Sequence, residues 1–213
     1  VALESLLPPV PPGEPQLHGT LSTTIQGRAT LGAFEELIHS TTGSGTLTLE
    51  TPVITNLNVL RNVFEKLAVI PGLLEKLEQR LPPEYDELLT ATDTTLSPLT
   101  ISLELHNGVL RFNELNVRTE VFGLSGAGQV SLQGAIHVSA ILRIHPTCSA
   151  ALIRSVQELG ALVNATGEIE TPVTLHGQLP RVALVPGIND IASRILVTKF
   201  QDLLGSFIER AIE

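Results

Sequence analysis

LTISLELHNGVLRFNELNVRTEVFGLSGAGQVSLQGAIHVSAILRI, residues 99–144, is the stretch of sequence that decides the fold. At its start, Ile101, Leu103 and Leu105 alternate with polar residues, which is the period of two expected for a half-buried β-strand. Asn107-Gly108 follows, and both residue types tolerate a positive φ angle, so this pair is typical of a two-residue hairpin turn. The stretch therefore begins as two antiparallel strands.

The same alternation continues to the end of the stretch. Asn113-Glu114 interrupts the pattern and predicts a β-bulge that resets the register, and Gln133-Gly134 predicts a second tight turn. We therefore expect four antiparallel strands in a meander, with one apolar face. The residues predicted to line this apolar face are Ile101, Leu103, Leu105, Leu110, Phe112, Leu115, Val117, Leu124, Val130, Leu132, Ile136, Val138 and Leu142.

The sequence before the meander predicts further strands and helices. Residues 17–29 alternate loosely as a strand, GAFEELIHS (32–40) predicts a short helix, and residues 43–53 predict a strand with Pro52 at its end. An amphipathic helical pattern near 57–91 is interrupted at Pro71-Gly72.

The sequence after the meander follows the same scheme. Helices are predicted near 146–163 and 188–212, and strands over 167–179 and 182–185. The expected fold class is α+β: an elongated, curved antiparallel sheet forming a β-groove, with amphipathic helices packed against it and capping the end.

The domain organisation is expected to be simple. The Pro-rich start, residues 1–16, predicts a linker or the end of a preceding module, and residues 17–213 predict one β-groove domain. The chain contains no Met, which favours a fragment or processed product. No stretch approaches the 18 or more apolar residues of a membrane span, so we expect any anchor to lie in a missing part of the protein.

Composition argues against several functions. The formal charge of −9 repels phosphate backbones, and the low aromatic content of 3% offers few platforms for base stacking, so no nucleic acid is expected as a partner. No His pair has i, i+4 spacing, and no Walker or GxSxG motif occurs. Glycines 43 and 45, and likewise 126 and 128, are more typical of bulges or strand bends than of a phosphate loop. We expect no enzyme, no metal site and no cofactor.

Several segments together carry a resemblance to a known family. GSGTLTL from Gly43, NVLRNVFEKLAVIPGLLEKL, NGVLRFNEL, GLSGAGQVSL and TPVTLHGQLPRVALVPG occur in an order that resembles the C-terminal region of AsmA-like proteins, which are related to TamB-type bridge-like lipid transfer proteins. The resemblance covers roughly residues 17–213. It implies a periplasmic protein attached to the inner membrane, which carries phospholipid towards the outer membrane along a β-groove and takes part in outer-membrane biogenesis.

The physical argument for lipid transport is independent of the resemblance. Each acyl CH₂ costs about 0.8 kcal/mol to expose to water, so a 16-carbon chain needs roughly 12 kcal/mol of apolar cover. A continuous aliphatic face supplies such cover without directional bonds, so a lipid can slide along it. Two alternatives remain open at this stage: the same residues form an ordinary covered core, or the chain is a structural module that pairs its sheet edges with an envelope protein partner.

Overall fold

The structure is a computed structural model that describes residues 1–6, 9–30, 40–67 and 69–212; for Lys199 and for residues 202–212 it describes the backbone only. The helix predicted over 32–40 lies outside the described residues, apart from its last residue, Ser40.

One antiparallel sheet dominates the described part of the chain. Its spatial order is β1-β2-β4-β5-β6-β7-β8-β9, with the short β3 paired to β2, and it curls into a half-barrel. The strands are β1 Gln16–Arg28, β2 Thr42–Thr55, β3 Thr94–Thr95, β4 Leu99–His106, β5 Val109–Arg118, β6 Phe122–Ser131, β7 Ala135–Ile144, β8 Ile169–Gln178 and β9 Arg181–Pro186.

Helices lie in the connections between strands at one end of this sheet, and a further helix follows β9. Short 3₁₀ turns lie at Leu3–Ser5, Pro83–Tyr85 and Gln157–Leu162. The predicted α+β class with a curved antiparallel sheet is thereby confirmed. The α-helices are α1 Val59–Lys66, α2 Leu73–Arg80, α3 Glu87–Thr90, α4 Pro146–Ser155 and α5 Ile188–Ile212.

The predicted meander is confirmed in its turns and its bulge. Asn107 and Gly108 both have positive φ angles, 51° and 73°, as their turn requires, and Gly134 has a φ of 93° in the second turn. The register between β5 and β6 shifts between Phe112 and Leu115, where the bulge is predicted. Local turn chemistry thus fixes the path of four consecutive strands.

The end of β2 differs from its prediction, because the strand continues beyond Pro52 to Thr55. Thr51 has a φ of 46°, and the register against β1 shifts opposite this point, so a bulge accommodates the proline. The Pro52 carbonyl still accepts a hydrogen bond from the Leu96 N–H at 2.9 Å. A proline at a bulge therefore interrupts the ladder without ending the strand.

The break in the first helical segment is confirmed. The α1 helix begins after Asn58, whose side chain accepts a hydrogen bond from the Arg61 N–H at 2.9 Å and so caps the helix. The α2 helix begins only after Gly72, which adopts the left-handed conformation. Pro71-Gly72 thus divides one amphipathic pattern into two short helices that pack against each other.

The two ends of the sheet differ in what lies beyond the strands. Three hairpin turns, at residues 107–108, 133–134 and 179–180, lie together at one end, which we call the hairpin end. At the opposite end, the helix end, the chain passes from β2 into α1 and from β7 into α4. The buried core lies at the helix end, where Leu142 and Ile144 form one cluster with the helix residues Leu77 and Leu152.

Glycines on the apolar face permit the curl of the sheet. A Cβ atom on Gly45 would lie 2.2 Å from the Thr24 carbonyl oxygen, and one on Gly126 would lie 2.2 Å from the Ser139 carbonyl oxygen. Both distances are far below a van der Waals contact, so the neighbouring backbone can lie this close only because these positions lack a Cβ atom. The glycines therefore permit a close approach of adjacent strands, and the register continues across them from β2 to β4 and from β6 to β7.

Candidate functional site

The predicted lining residues lie on the same face of β4–β7, except Leu132, which lies in the turn after β6. Their burial depends on their position along the strands. The deepest members belong to the core cluster, with exposed fractions of 1–8%, and are covered by protein. These deep members are Leu103, Phe112, Leu124, Val138 and Leu142.

A second group lies on the helix-end side of Leu103 in β4 and of Phe112 in β5. Ile101, Leu115 and Val117 are half-buried, and all three pack against the core cluster. Each therefore has one side in contact with protein and one side accessible to solvent.

The members nearest the hairpin end form a continuous row across the sheet. Leu105 is the register partner of Leu110, Leu110 of Val130, and Val130 of Ile136, and all four are half-buried. The row continues past Gly177 to Val182 in β9, which is 36% exposed. We call Leu105, Leu110, Val130, Ile136 and Val182 the outer row.

The outer row crosses six neighbouring strands, which at the usual strand spacing is about 24 Å. Beside it, Leu132 exposes 48% of its surface. Within β6 and β7, the apolar face is thus more exposed at the hairpin end, whereas Leu124 and Leu142 lie in the core cluster with helix residues.

Two exposed apolar residues of this region are absent from the predicted lining. Val182 belongs to the outer row, and Ile25 in β1 is 50% exposed and pairs with Gly45, which in turn pairs with Leu103. The sequence pattern that could have identified Ile25 is the loose alternation of apolar and polar residues over 17–29. Its position beside the meander depends on the sheet order, which the alternation does not contain.

The opposite face of the sheet, the polar face, carries an ordered network near the helix end. The Arg143 guanidinium donates to the Glu170 carboxylate at 2.8 Å and to the Ser125 hydroxyl oxygen at 2.7 Å, which links three neighbouring strands. Hydrogen bonds from Asn164 and Thr166 lower the pKa of the Glu168 carboxyl. These contacts hold the loop before β8 in place, so the network has a structural role.

The only cysteine, Cys148, is buried, and burial raises the pKa of its thiol. Among the described residues, no three His, Cys, Asp or Glu side chains come together in an arrangement that holds a metal ion. Within the same residues, no helix combines the length and the apolar character that crossing a membrane requires.

These observations define the chain as an α+β protein with a curled antiparallel sheet, whose apolar face is covered by helices at one end and ends in an aliphatic row at the other. Comparisons with models of known protein families, with curated proteins and with solved structures found no match to this chain.

Proposed function

We propose that the chain is a non-catalytic lipid-binding and lipid-transfer segment of an AsmA-like protein. In this proposal the curled sheet acts as a β-groove that shields phospholipid acyl chains during transport between the inner and outer membranes. The observation that carries the proposal is the outer row, a line of half-buried aliphatic side chains across the hairpin end.

The size and chemistry of the outer row suit an acyl chain. An acyl chain can lie against a row of about 24 Å, and each Å² of apolar surface that it buries there is worth about 25 cal/mol. The row consists of branched aliphatic side chains, which make no directional bonds with a ligand. A tail bound there can slide across the strands.

The burial pattern restricts the proposed lining to part of the predicted surface. The deep residues Leu103, Val138 and Leu142 already contact protein, so a tail cannot reach them without displacing helices. The residues proposed to contact lipid are those of the hairpin end, namely Leu105, Leu110, Val130, Leu132 and Ile136, together with Val182.

The proposed setting comes from the family resemblance. A periplasmic location, an inner-membrane anchor outside the given sequence and a role in cell-envelope biogenesis all accompany that resemblance. The formal charge of −9 repels nucleic-acid phosphates, so nucleic acid is not proposed as a partner.

Native mass spectrometry of the chain purified from cells tests the proposal. We expect co-purifying phospholipid, and we expect Ile136→Asp to remove it because a charge in the outer row opposes an acyl chain. Ser139→Asp, an exposed position on the polar face of the same strand, is the matched control and should retain the lipid. A lipid-free wild-type protein that also fails to take up added phospholipid would contradict the proposal.

A specific contact favours a second candidate function, strand pairing with an envelope protein. The Val1 amino group donates to the Leu21 carbonyl at 2.9 Å, and the Leu21 N–H donates to the Val1 carbonyl at 2.7 Å. The outer edge of β1 therefore accepts an antiparallel strand at this point. By the alternation of a β-strand, the backbone groups of Thr23, Ile25 and Gly27 face the same edge.

Photo-crosslinking in cells distinguishes this second candidate. A photoreactive residue at position 25 should give a defined protein adduct, and Thr23→Pro should abolish the adduct because it removes an N–H donor from the edge. Ile136→Asp should leave the adduct unchanged. An adduct that survives Thr23→Pro in the folded protein would exclude pairing along this edge.

A further inference from the structure

The two outer edges of the sheet differ in how they are protected from pairing with another chain. The β9 strand has only six residues; Pro180 precedes it and Pro186 ends it. The Lys66 ammonium donates a hydrogen bond to the Leu184 carbonyl of this strand, and α1 packs beside it. Short length, prolines and a covering helix all prevent an edge strand from accepting a further strand.

The β1 edge lacks this protection over much of its length. The strand has 13 residues, and residues 1–2 pair with its outer side at Thr20 and Leu21. Residues 22–28, which we call the free edge, are all exposed, and none of residues 22–27 is a proline or carries a charge. Among the described residues, no strand pairs with this side of β1 beyond Leu21.

The free edge is self-complementary about Ile25. The N–H and C=O groups of Leu21 face away from β2, because both bond to Val1, and strand alternation directs those of Thr23, Ile25 and Gly27 the same way. A two-fold axis at Ile25 pairs Thr23 of each copy with Gly27 of the other, and Ile25 with itself. Each such pair exchanges two hydrogen bonds, so the three pairs supply about six.

The ends of the free edge fit this arrangement. Because β1 ends at Arg28, the paired strand of a second copy ends beside Ser22, next to the point where Val1 bonds to Leu21. Arg28 is the one charged residue of the free edge. The two copies of Arg28 lie at opposite ends of the paired segment, about 20 Å apart, so no like charges face each other across the axis.

The difference between the two edges also determines the kind of assembly. If both edges were open, β1 of one copy would pair with β9 of the next, and repeated contacts of this kind would build an open fibre. Pairing of β1 with β1 is isologous and closes with two copies. It keeps the apolar faces on the same side, so Ile25, which is 50% exposed, gains an aliphatic neighbour across the axis.

We infer that the protein forms a two-fold symmetric dimer by antiparallel pairing of the free edges of two copies. This inference rests on strand pairing, the second candidate function, and identifies the partner as a second copy of this chain. One pair of edge strands is a small interface beside the roughly 1,600 Å² that a stable complex buries. The dimer is therefore reversible, with a micromolar or weaker Kd.

Analytical ultracentrifugation of the chain from micromolar to millimolar concentration tests the inference. We expect a monomer–dimer equilibrium without larger species. Ile25→Asp and Ile25→Lys each place like charges about 5.5 Å apart at the axis, so each variant should raise the Kd at least tenfold. An equimolar mixture of the two variants should restore the dimer, which excludes misfolding as the cause of the loss. Ala183→Asp, at an exposed position of β9, is the matched control and should leave the Kd unchanged.

Disulfide trapping with oxidised glutathione tests the position of the axis. The native Cys148 is buried, so a new surface cysteine reacts alone. Ile25→Cys should give a covalent dimer, because Cα atoms about 5.5 Å apart are within the range that a disulfide spans. Ser22→Cys is the control: the two copies of Ser22 lie about 20 Å apart and should not be linked. Combining Ser22→Cys with Arg28→Cys should restore the covalent dimer.

The outcomes separate this inference from strand pairing in general. A chain that remains monomeric at millimolar concentration overturns the inference, and so does a Ser22→Cys variant that is trapped as readily as Ile25→Cys. If such a monomeric chain still gives a photo-adduct from position 25 with a different protein, strand pairing stands and the second copy is the wrong partner. If neither a dimer nor an adduct forms, both are overturned.

Discussion

Ser149 and Ile169 are joined by a buried hydrogen bond in which the Ile169 N–H donates to the Ser149 Oγ atom at 2.9 Å. The same hydroxyl donates to the Ile144 carbonyl at 2.8 Å. One side chain at the start of α4 therefore satisfies backbone groups at the end of β7 and the start of β8. These two hydrogen bonds of Ser149 hold the helix end of the sheet together, where the core lies.

Replacement of Ser149 should destabilise the fold. Ser149→Ala leaves the buried Ile169 N–H and Ile144 carbonyl without this partner, at a cost of about 1–3 kcal/mol in the free energy of unfolding. Urea denaturation measures the change. Ser139→Ala, an exposed serine in β7, is the control and should change the stability by less than about 0.5 kcal/mol. Equal effects of the two variants would contradict a stabilising role of the Ser149 hydrogen bonds.

The difference in burial along β7 predicts that two of its aliphatic residues contribute unequally to the free energy of unfolding. Leu142→Ala should lower the free energy of unfolding by about 2–5 kcal/mol, because Leu142 is 1% exposed in the core cluster. Ile136→Ala should cost clearly less, because Ile136 lies in the half-buried outer row. Chemical denaturation of both variants checks this order. A larger cost for Ile136→Ala would show that the outer row is part of a closed core.

The close approach of β7 to β6 predicts a specific effect at Gly126. Gly126→Ala places a methyl group 2.2 Å from the Ser139 carbonyl oxygen, so the strands must separate, at a cost of about 1–3 kcal/mol. Gly123→Ala in the same strand is the control, because its nearest contact is at 3.7 Å. Thermal unfolding followed by circular dichroism measures both. A Gly126→Ala protein as stable as the Gly123→Ala protein would argue against this close approach.

The hydrogen bonds of Glu168 predict a pH dependence of stability. Asn164 and Thr166 donate to this carboxylate and lower its pKa below the ordinary value of 4.5. A carboxyl whose pKa is lower in the folded state stabilises the protein above its unfolded pKa, and this contribution is lost as the pH falls through the folded pKa. The contribution should therefore be complete above pH 4.5 and decrease below it.

Carbon NMR titration of the side-chain carboxyl measures this shift directly. Asn164→Ala and Thr166→Ala should each raise the pKa of Glu168 towards its ordinary value, with the larger effect for Asn164, whose hydrogen bond is the first cause of the shift. Thr147→Ala, at an exposed position in α4, is the control and should leave the pKa unchanged. An unchanged pKa in both test variants would contradict the assigned hydrogen bonds.

Burial of Cys148 predicts slow thiol chemistry. Its exposed fraction is 9%, and burial raises the pKa of the thiol, so little thiolate forms near neutral pH. Ellman's reagent should react slowly with the folded protein and rapidly in urea. Fast reaction of the folded protein would show that α4 opens readily from the sheet.

The sequence alone determined the local features of this fold. The Asn107-Gly108 turn, the bulge at Asn113-Glu114 and the helix break at Pro71-Gly72 follow from steric preferences of one or two residues, which act irrespective of the rest of the chain. The apolar face of the meander likewise follows from the alternation of side chains along each strand. The continuation of β2 beyond Pro52 was missed, because a bulge depends on the partner strand.

Only the tertiary structure decided which apolar residues are covered. Leu142 and Ile136 have the same place in the strand pattern, yet one is in the core and the other in the outer row, because the helices pack at only one end of the sheet. The placement of Arg28, Thr42 and His106 side by side also depends on the pairing of β1, β2 and β4. Periodicity along a strand specifies the face of a side chain, but its neighbours across the sheet are distant in sequence and are set by the packing of the whole chain.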